Sequence, residues 1–220
     1  VHSANCISCP PPVLAGFEQI RTFRFWGRRI IWQRFNGCSM NAELSQLHQQ
    51  ISRCRMCPLA QSRNLTVPGS GPQPSRLLLV GEAPGREEDR KGLPFVGRAG
   101  KILDEALGLA GLAREEVFIT SVIKCRPPQN RKPTKAEIDL CRPYLQHQIE
   151  FIGPRIICLM GNTASFALLG RQGIASLRGR IWQDRFLVTY HPAAVLRNRN
   201  LMNEFVSDLR LAGAAAELNG

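Results

Sequence analysis

The sequence predicts an α/β fold: a three-layer α/β/α sandwich around a central, mainly parallel four-stranded sheet. Three observations predict it. From residue 76 onward, short apolar runs alternate with amphipathic stretches. Strands separated by helices imply parallel crossovers. Each unusual stretch (GEAPG, KCRPPQNRKP, GNTAS and HPAAVLRNRN) directly follows an apolar run, at the carboxyl ends of strands, where sheets of this kind hold their ligands.

Taken in order, Met40 opens MNAELSQLHQQISRCRMCPLA, an amphipathic helix with Asn41 as its cap. Strands are expected at 76–81, 117–123, 155–161 and 186–190, where β-branched and leucine-rich runs are bounded by turn residues. Helices are expected at 99–109, 135–152, 163–169 and 203–215. No repeat or low-complexity segment interrupts this order.

Residues 1–39 differ in kind. They hold Arg21, Arg24, Arg28, Arg29 and Arg34 against Glu18, a local charge of +4 that leaves +8 for residues 40–220. Their apolar stretches are too short and arginine-broken for a secretory signal. They read as a basic N-terminal extension, disordered or lying upstream of a natural start at Met40, with one domain spanning residues 40–220.

At 220 residues and 44% hydrophobic composition, the chain can bury one sizeable core. No window approaches the roughly 18–20 apolar residues of a membrane span, so a soluble, cytoplasmic monomer without a membrane partner is expected. Lys and Arg outnumber Asp and Glu by 29 to 17, for a net charge of +12 and a pI near 10.0. That excess suits a nucleic-acid partner, although basic surfaces also occur without one.

Eight cysteines without a leader argue against a disulfide framework. Cys54 and Cys57 form a C-x2-C knuckle, and Cys125 and Cys141 stand 16 residues apart. Four such thiols suit an iron–sulfur cluster, which tolerates unequal spacing, as well as they suit zinc, and buried free cysteines remain a third reading. Cys6 and Cys9 form a second knuckle inside the extension, Cys38 carries no signal, and Cys158 lies in an apolar strand as a buried free thiol.

Together GEAPGREED, GLPFVGRAG, ITSVIKCRPPQNRKP, Cys141 and HPAAVLRN, with Cys54 and Cys57 upstream, resemble the family 4 uracil-DNA glycosylases over residues 41 to about 212. The resemblance implies the glycosylase α/β/α fold and a [4Fe-4S] cluster on Cys54, Cys57, Cys125 and Cys141. It also implies excision of uracil from DNA, single- or double-stranded, by a monofunctional hydrolase of N-glycosyl bonds.

The residues make chemical sense in those roles. An enzyme acting on an extruded base needs a stacking surface, an edge reader and a phosphate grip. Phe95, in LPFVG, can stack on the base; without the motif it reads as a core aromatic. Gly81, Glu82 and Ala83 follow the first strand closely enough to line a pocket floor. By resemblance they contact uracil, and Glu82 is the catalytic carboxylate. It would stabilise positive charge on the sugar and orient a water. The other reading of Glu82 is a helix cap, which the Pro-Gly turn after it weakens by stopping an immediate helix. His191 can donate to the uracil carbonyl oxygen as charge accumulates there, the second catalytic role that the resemblance assigns.

Ser121 marks a departure. The family pattern reads Ile-Thr-Asn where this chain reads Ile119-Thr120-Ser121, and a hydroxyl cannot span the donor and acceptor that an amide presents to uracil. By resemblance Glu88 borders the pocket, where it could hinder a thymine methyl. Glu87 and Asp89 are expected to face solvent or pair with Arg86 and Arg90. The loops 124–135, 171–185 and 197–199 are expected to meet phosphates, and Leu196 either wedges into the vacated stack or packs as an ordinary helix residue. Two other functions compete: an iron–sulfur DNA-binding protein with weakened or redirected base specificity, and a nucleotide-phosphate hydrolase, which lacks both usual phosphate loops. Lys124 is the only lysine near a strand end that a lyase could use.

Overall fold

A computed structural model describes residues 21–25, 28–32 and 40–218. The chain divides into two compact units, Val1–Cys38 and Ser39–Gly220. In the first, β1 (Arg21–Phe25) and β2 (Arg28–Trp32) pair antiparallel, Phe23 opposite Ile30. No strands are expected there from the arginine-broken apolar stretches. Cys6, Cys9 and Cys38 lie outside the described residues.

The second unit opens with α1 (Met40–Arg53), which takes Asn41 into its first turn rather than leaving it as a cap. It is followed by α2 (Leu59–Ser62), β3 (Leu77–Gly81), α3 (Arg86–Lys91), α4 (Arg98–Ala110), β4 (Phe118–Ser121) and α5 (Lys135–Ile152). Then come β5 (Ile156–Met160), α6 (Asn162–Leu169), α7 (Ile174–Leu177), β6 (Ile181–Trp182), β7 (Phe186–Thr189), α8 (Pro192–Arg197) and α9 (Met202–Ala216). The sheet order is β4-β3-β5-β7-β6. Its four long strands are parallel, as expected, and β6 adds a fifth, antiparallel edge of two residues.

β3 and β5 are buried at every position, because helices cover both faces of a parallel sheet. Leu77 and Leu79 join Ile119, Cys158, Leu187 and Phe205 in a core shared with α4 and α9. Leu78, Val80, Ile157 and Leu159, the alternate residues, are equally buried and pack on the opposite face. The sheet's carboxyl edge is therefore a fixed platform, carrying the turns after β3, β4, β5 and β7.

Candidate active site

Gly81 ends β3 opposite Ser121, which ends β4. A Cβ on Gly81 would stand 2.5 Å from Phe95 Cζ and 3.4 Å from Ser121 Oγ. The bare glycine thus lets the Phe95 ring lie against the strand end, with Ser121 on its other flank. Phe95 adopts φ +51°, a conformation rare for an aromatic residue. The segment after it holds that conformation in place. Gly100 gives the Phe95 carbonyl room that a Cβ, only 1.9 Å away, would take.

Glu88 closes the same turn from below. Its carboxylate accepts hydrogen bonds from the backbone N–H groups of Gly85 (3.1 Å), Val96 (2.9 Å) and Gly97 (2.8 Å). It therefore caps the starts of both α3 and α4 and ties the end of the GEAPG turn to the residues following Phe95. α3 does begin directly after the Pro-Gly turn, with Gly85 as its N-cap, so that turn starts a helix rather than preventing one, and Glu82 lies outside it. Glu82 Oε2 accepts a hydrogen bond from the Thr163 hydroxyl, in the first turn of α6. Nothing in the sequence singled out Thr163 beyond its place in GNTAS at the ligand edge.

His191 leaves β7 as the N-cap of α8, its Nδ1 accepting from the Ala193 N–H at 3.1 Å. The neutral ring must then carry its proton on Nε2. That atom is sealed from solvent and has no hydrogen-bond partner among the described residues. Burial, followed by the charge of Arg197, lowers the pKa of His191 to about 4, so the ring is neutral at physiological pH. Its centroid lies 5.8 Å from that of Phe95, and Gly161, at φ +92°, would bring a Cβ to 3.0 Å from His191 Cβ. Gly81, Glu82, Phe95, Ser121 and His191 thus stand along one sheet edge. The preceding residue is held by Arg178, whose guanidinium lies 5.3 Å from the Tyr190 ring centroid. Arg178 also bonds the buried Asp208 carboxylate, which accepts from Thr189 Oγ1 at 2.6 Å.

Several expectations for the surrounding charges change. Glu87 pairs with Arg90 and Arg86 as expected. Asp89 does not: it is fully buried, accepting from Asn64 N (3.0 Å) and Asn64 Nδ2 (2.6 Å). A six-residue helix has an inward side whatever its composition, and Asn64 supplies the donors that a buried carboxylate requires. Leu196 is half-buried and packs against the core. Of the basic loops, Lys124 is buried, while Arg131, Lys135, Arg178 and Arg199 are engaged by Glu137, Asp139, Asp208 and Glu105.

The four cysteines line one narrow apolar hollow with Ile51, Lys124 and Tyr144. Arg63 donates to Cys125 Sγ at 3.1 Å and to the Cys54 carbonyl at 2.7 Å. Burial pushes Cys125 up and Cys141 up to about 11, so thiolates there call for a cation. Among the described residues, no three His, Cys, Asp or Glu side chains gather closely enough for one metal ion.

The family model for the uracil DNA glycosylase superfamily matches residues 68–210. A type-4 uracil-DNA glycosylase of Pyrobaculum aerophilum is 43% identical over 181 residues, 77% of this chain and 92% of that protein. One from Archaeoglobus fulgidus is 41% identical over 182 residues, 77% and 92% of the two chains. A type-5 uracil-DNA glycosylase of Pyrobaculum aerophilum is more distant, 32% identical over 173 residues, 68% of this chain and 76% of its own. The chain belongs to the uracil-DNA glycosylase superfamily and, within it, to the type-4 group.

Proposed function

We propose that this protein flips uracil out of DNA and hydrolyses its N-glycosidic bond, leaving an abasic site. The observation that carries the reading is the His191 Nε2–H: a buried donor without an acceptor among the described residues, on a ring held neutral, beside an aromatic face and on the same sheet edge as Glu82. A donor so placed costs free energy until a ligand accepts from it.

When the bond between the sugar C1′ and uracil N1 breaks, its electron pair leaves with the base and delocalises onto the carbonyl oxygens. His191 donates to one of them, where charge has grown most. Positive charge left on the sugar is met by the Glu82 carboxylate, which Thr163 holds in place. A water oriented there adds its oxygen to C1′ and gives up one proton to the carboxylate, and one proton is taken up by the departing uracil anion, so that the abasic sugar and neutral uracil result. Phe95 stacks on the extruded ring, Gly81 and Ala83 present backbone to it, Ser121 meets its edge, and Glu88 holds the turn that carries Phe95.

Cys54, Cys57, Cys125 and Cys141 are inferred to hold a [4Fe-4S] cluster. The support is that all four thiols line one hollow, and iron–sulfur clusters take four thiolates at separate corners from unequally spaced cysteines. When bound, the cluster supplies a covalent tie between the segment before β3, the loop after β4 and α5. Among the described residues, no helix is long and apolar enough to cross a membrane, and the protein is taken to act as a cytoplasmic monomer.

Ser121 favours one alternative on the same fold, in which another deaminated base is preferred. Base release from oligonucleotides carrying uracil, hypoxanthine, xanthine or thymine decides between them. Uracil released fastest supports the proposal; faster release of another base supports the alternative, and release of none overturns both.

A further inference from the structure

Lys124 takes no part in the chemistry above, yet among the described residues it is the buried lysine, 1% exposed. Its ammonium donates to Thr120 Oγ1 (2.7 Å), the Ser121 carbonyl oxygen (2.7 Å) and Gln148 Oε1 (2.6 Å). All three N–H bonds have acceptors, so no face of the amine is left for a sugar aldehyde, and the lyase role considered for Lys124 has no support. The acceptors are themselves oriented from one point. The Pro68 carbonyl accepts from Thr120 Oγ1 at 2.6 Å and from Gln148 Nε2 at 2.8 Å, which turns the lone pairs of both groups toward Lys124. All three acceptors are neutral. The same side chain lines the hollow that Cys125 and Cys141 line.

We propose that Lys124 is a positioning residue for base readout. Its ammonium spans the cysteine centre and the end of β4, and it holds the Ser121 carbonyl back toward α5. Ser121 ends the strand opposite Gly81, so fixing its peptide fixes the direction in which its hydroxyl meets the base. Uracil selection thereby depends on the thiolate centre through one side chain, with no contact between centre and substrate. The inference rests on the four-cysteine reading above.

The test compares wild type, Lys124→Met and Gln148→Met. Each is measured for iron per chain, and for affinity toward strands carrying a non-cleavable uracil nucleotide or the matching cytosine nucleotide. Single-turnover uracil excision is measured beside these. At wild-type iron content, Lys124→Met is expected to lower the uracil-over-cytosine binding ratio about tenfold and excision ten- to a hundredfold, while affinity for undamaged DNA holds. Gln148→Met, which removes one acceptor and leaves lysine and cysteines in place, should shift the ratio the same way by less. A ratio unchanged in folded protein overturns the proposal, whether or not iron is lost. If Lys124→Met does not fold, the Gln148→Met ratio alone decides. Wild type without iron would sink the cluster reading instead, a result obtained before any variant is made.

Discussion

At the scale of single residues, the proposed mechanism separates groups that act on charge from groups that hold them. Glu82→Gln and His191→Ala should each cut uracil excision by at least about a hundredfold and leave DNA affinity largely intact, because both contacts strengthen only as charge develops. Equal losses of binding and turnover would make both residues scaffolding. The His191 ring also sets a pH dependence. Its folded pKa, about 4, lies below the ordinary 6.5, so the unfolded chain takes up the proton first as pH falls. The stability it contributes is complete above pH 6.5 and is lost as pH drops from there toward 4. Over that window wild type should lose stability relative to His191→Ala in urea titrations, and excision should show no break near 6.5 from this ring. Ser121 invites the opposite kind of change. An amide at that position can pair with both edge atoms of uracil, so Ser121→Asn should raise excision about tenfold, roughly 1.4 kcal/mol. Unchanged rates in folded protein would mean that another residue reads the edge.

At the scale of elements, the turn between β3 and α4 carries most of the proposed site. Three backbone amides converge on Glu88, Phe95 sits at φ +51°, and Gly81 and Gly100 leave the space that its ring and carbonyl occupy. A methyl on Gly81 would collide with the Phe95 ring at 2.5 Å. Gly81→Ala should therefore displace the stacking face and slow excision at least tenfold with little change in melting temperature, since the ring moves before β3 does. A large fall in melting temperature would place Phe95 in the core alone. Much of this element pattern was legible in the sequence: apolar runs of five or so residues ended by glycine marked β3 and β5, and Gly81 and His191 were visible because they follow such runs. The rest was hidden for physical reasons. A two-residue edge strand such as β6 has no period to detect. α3 begins at Arg86 behind the N-cap Gly85, whose N–H is satisfied by Glu88 three residues later, since glycine has no side chain to cap with. The burial of Asp89 and Lys124 depends on Asn64, Gln148 and Pro68, partners distant in sequence that no local pattern announces.

At the scale of the whole molecule, a net charge of +12 must be divided between internal pairs and a surface for phosphates. Arg126 and Lys132 follow β4, Arg98 and Lys101 open α4, and Arg197 ends α8, so all five belong to segments leaving the sheet's carboxyl edge. Among the described residues, none of these five has a carboxylate partner. If three to five of them neutralise phosphates, the logarithm of the binding constant should fall against the logarithm of salt with a slope of about −3 to −5 on duplex DNA. A chain beginning at Met40 loses the +4 of the extension but none of these five. It should keep excision and nearly the same slope, whereas Lys132→Ala combined with Arg197→Ala should flatten the slope by about 2 in either length. The measurement is affinity for one duplex at several salt concentrations, for both lengths of chain. A slope that collapses on truncation and ignores the double substitution would move the phosphate contacts from the carboxyl edge of the sheet to the N-terminal extension.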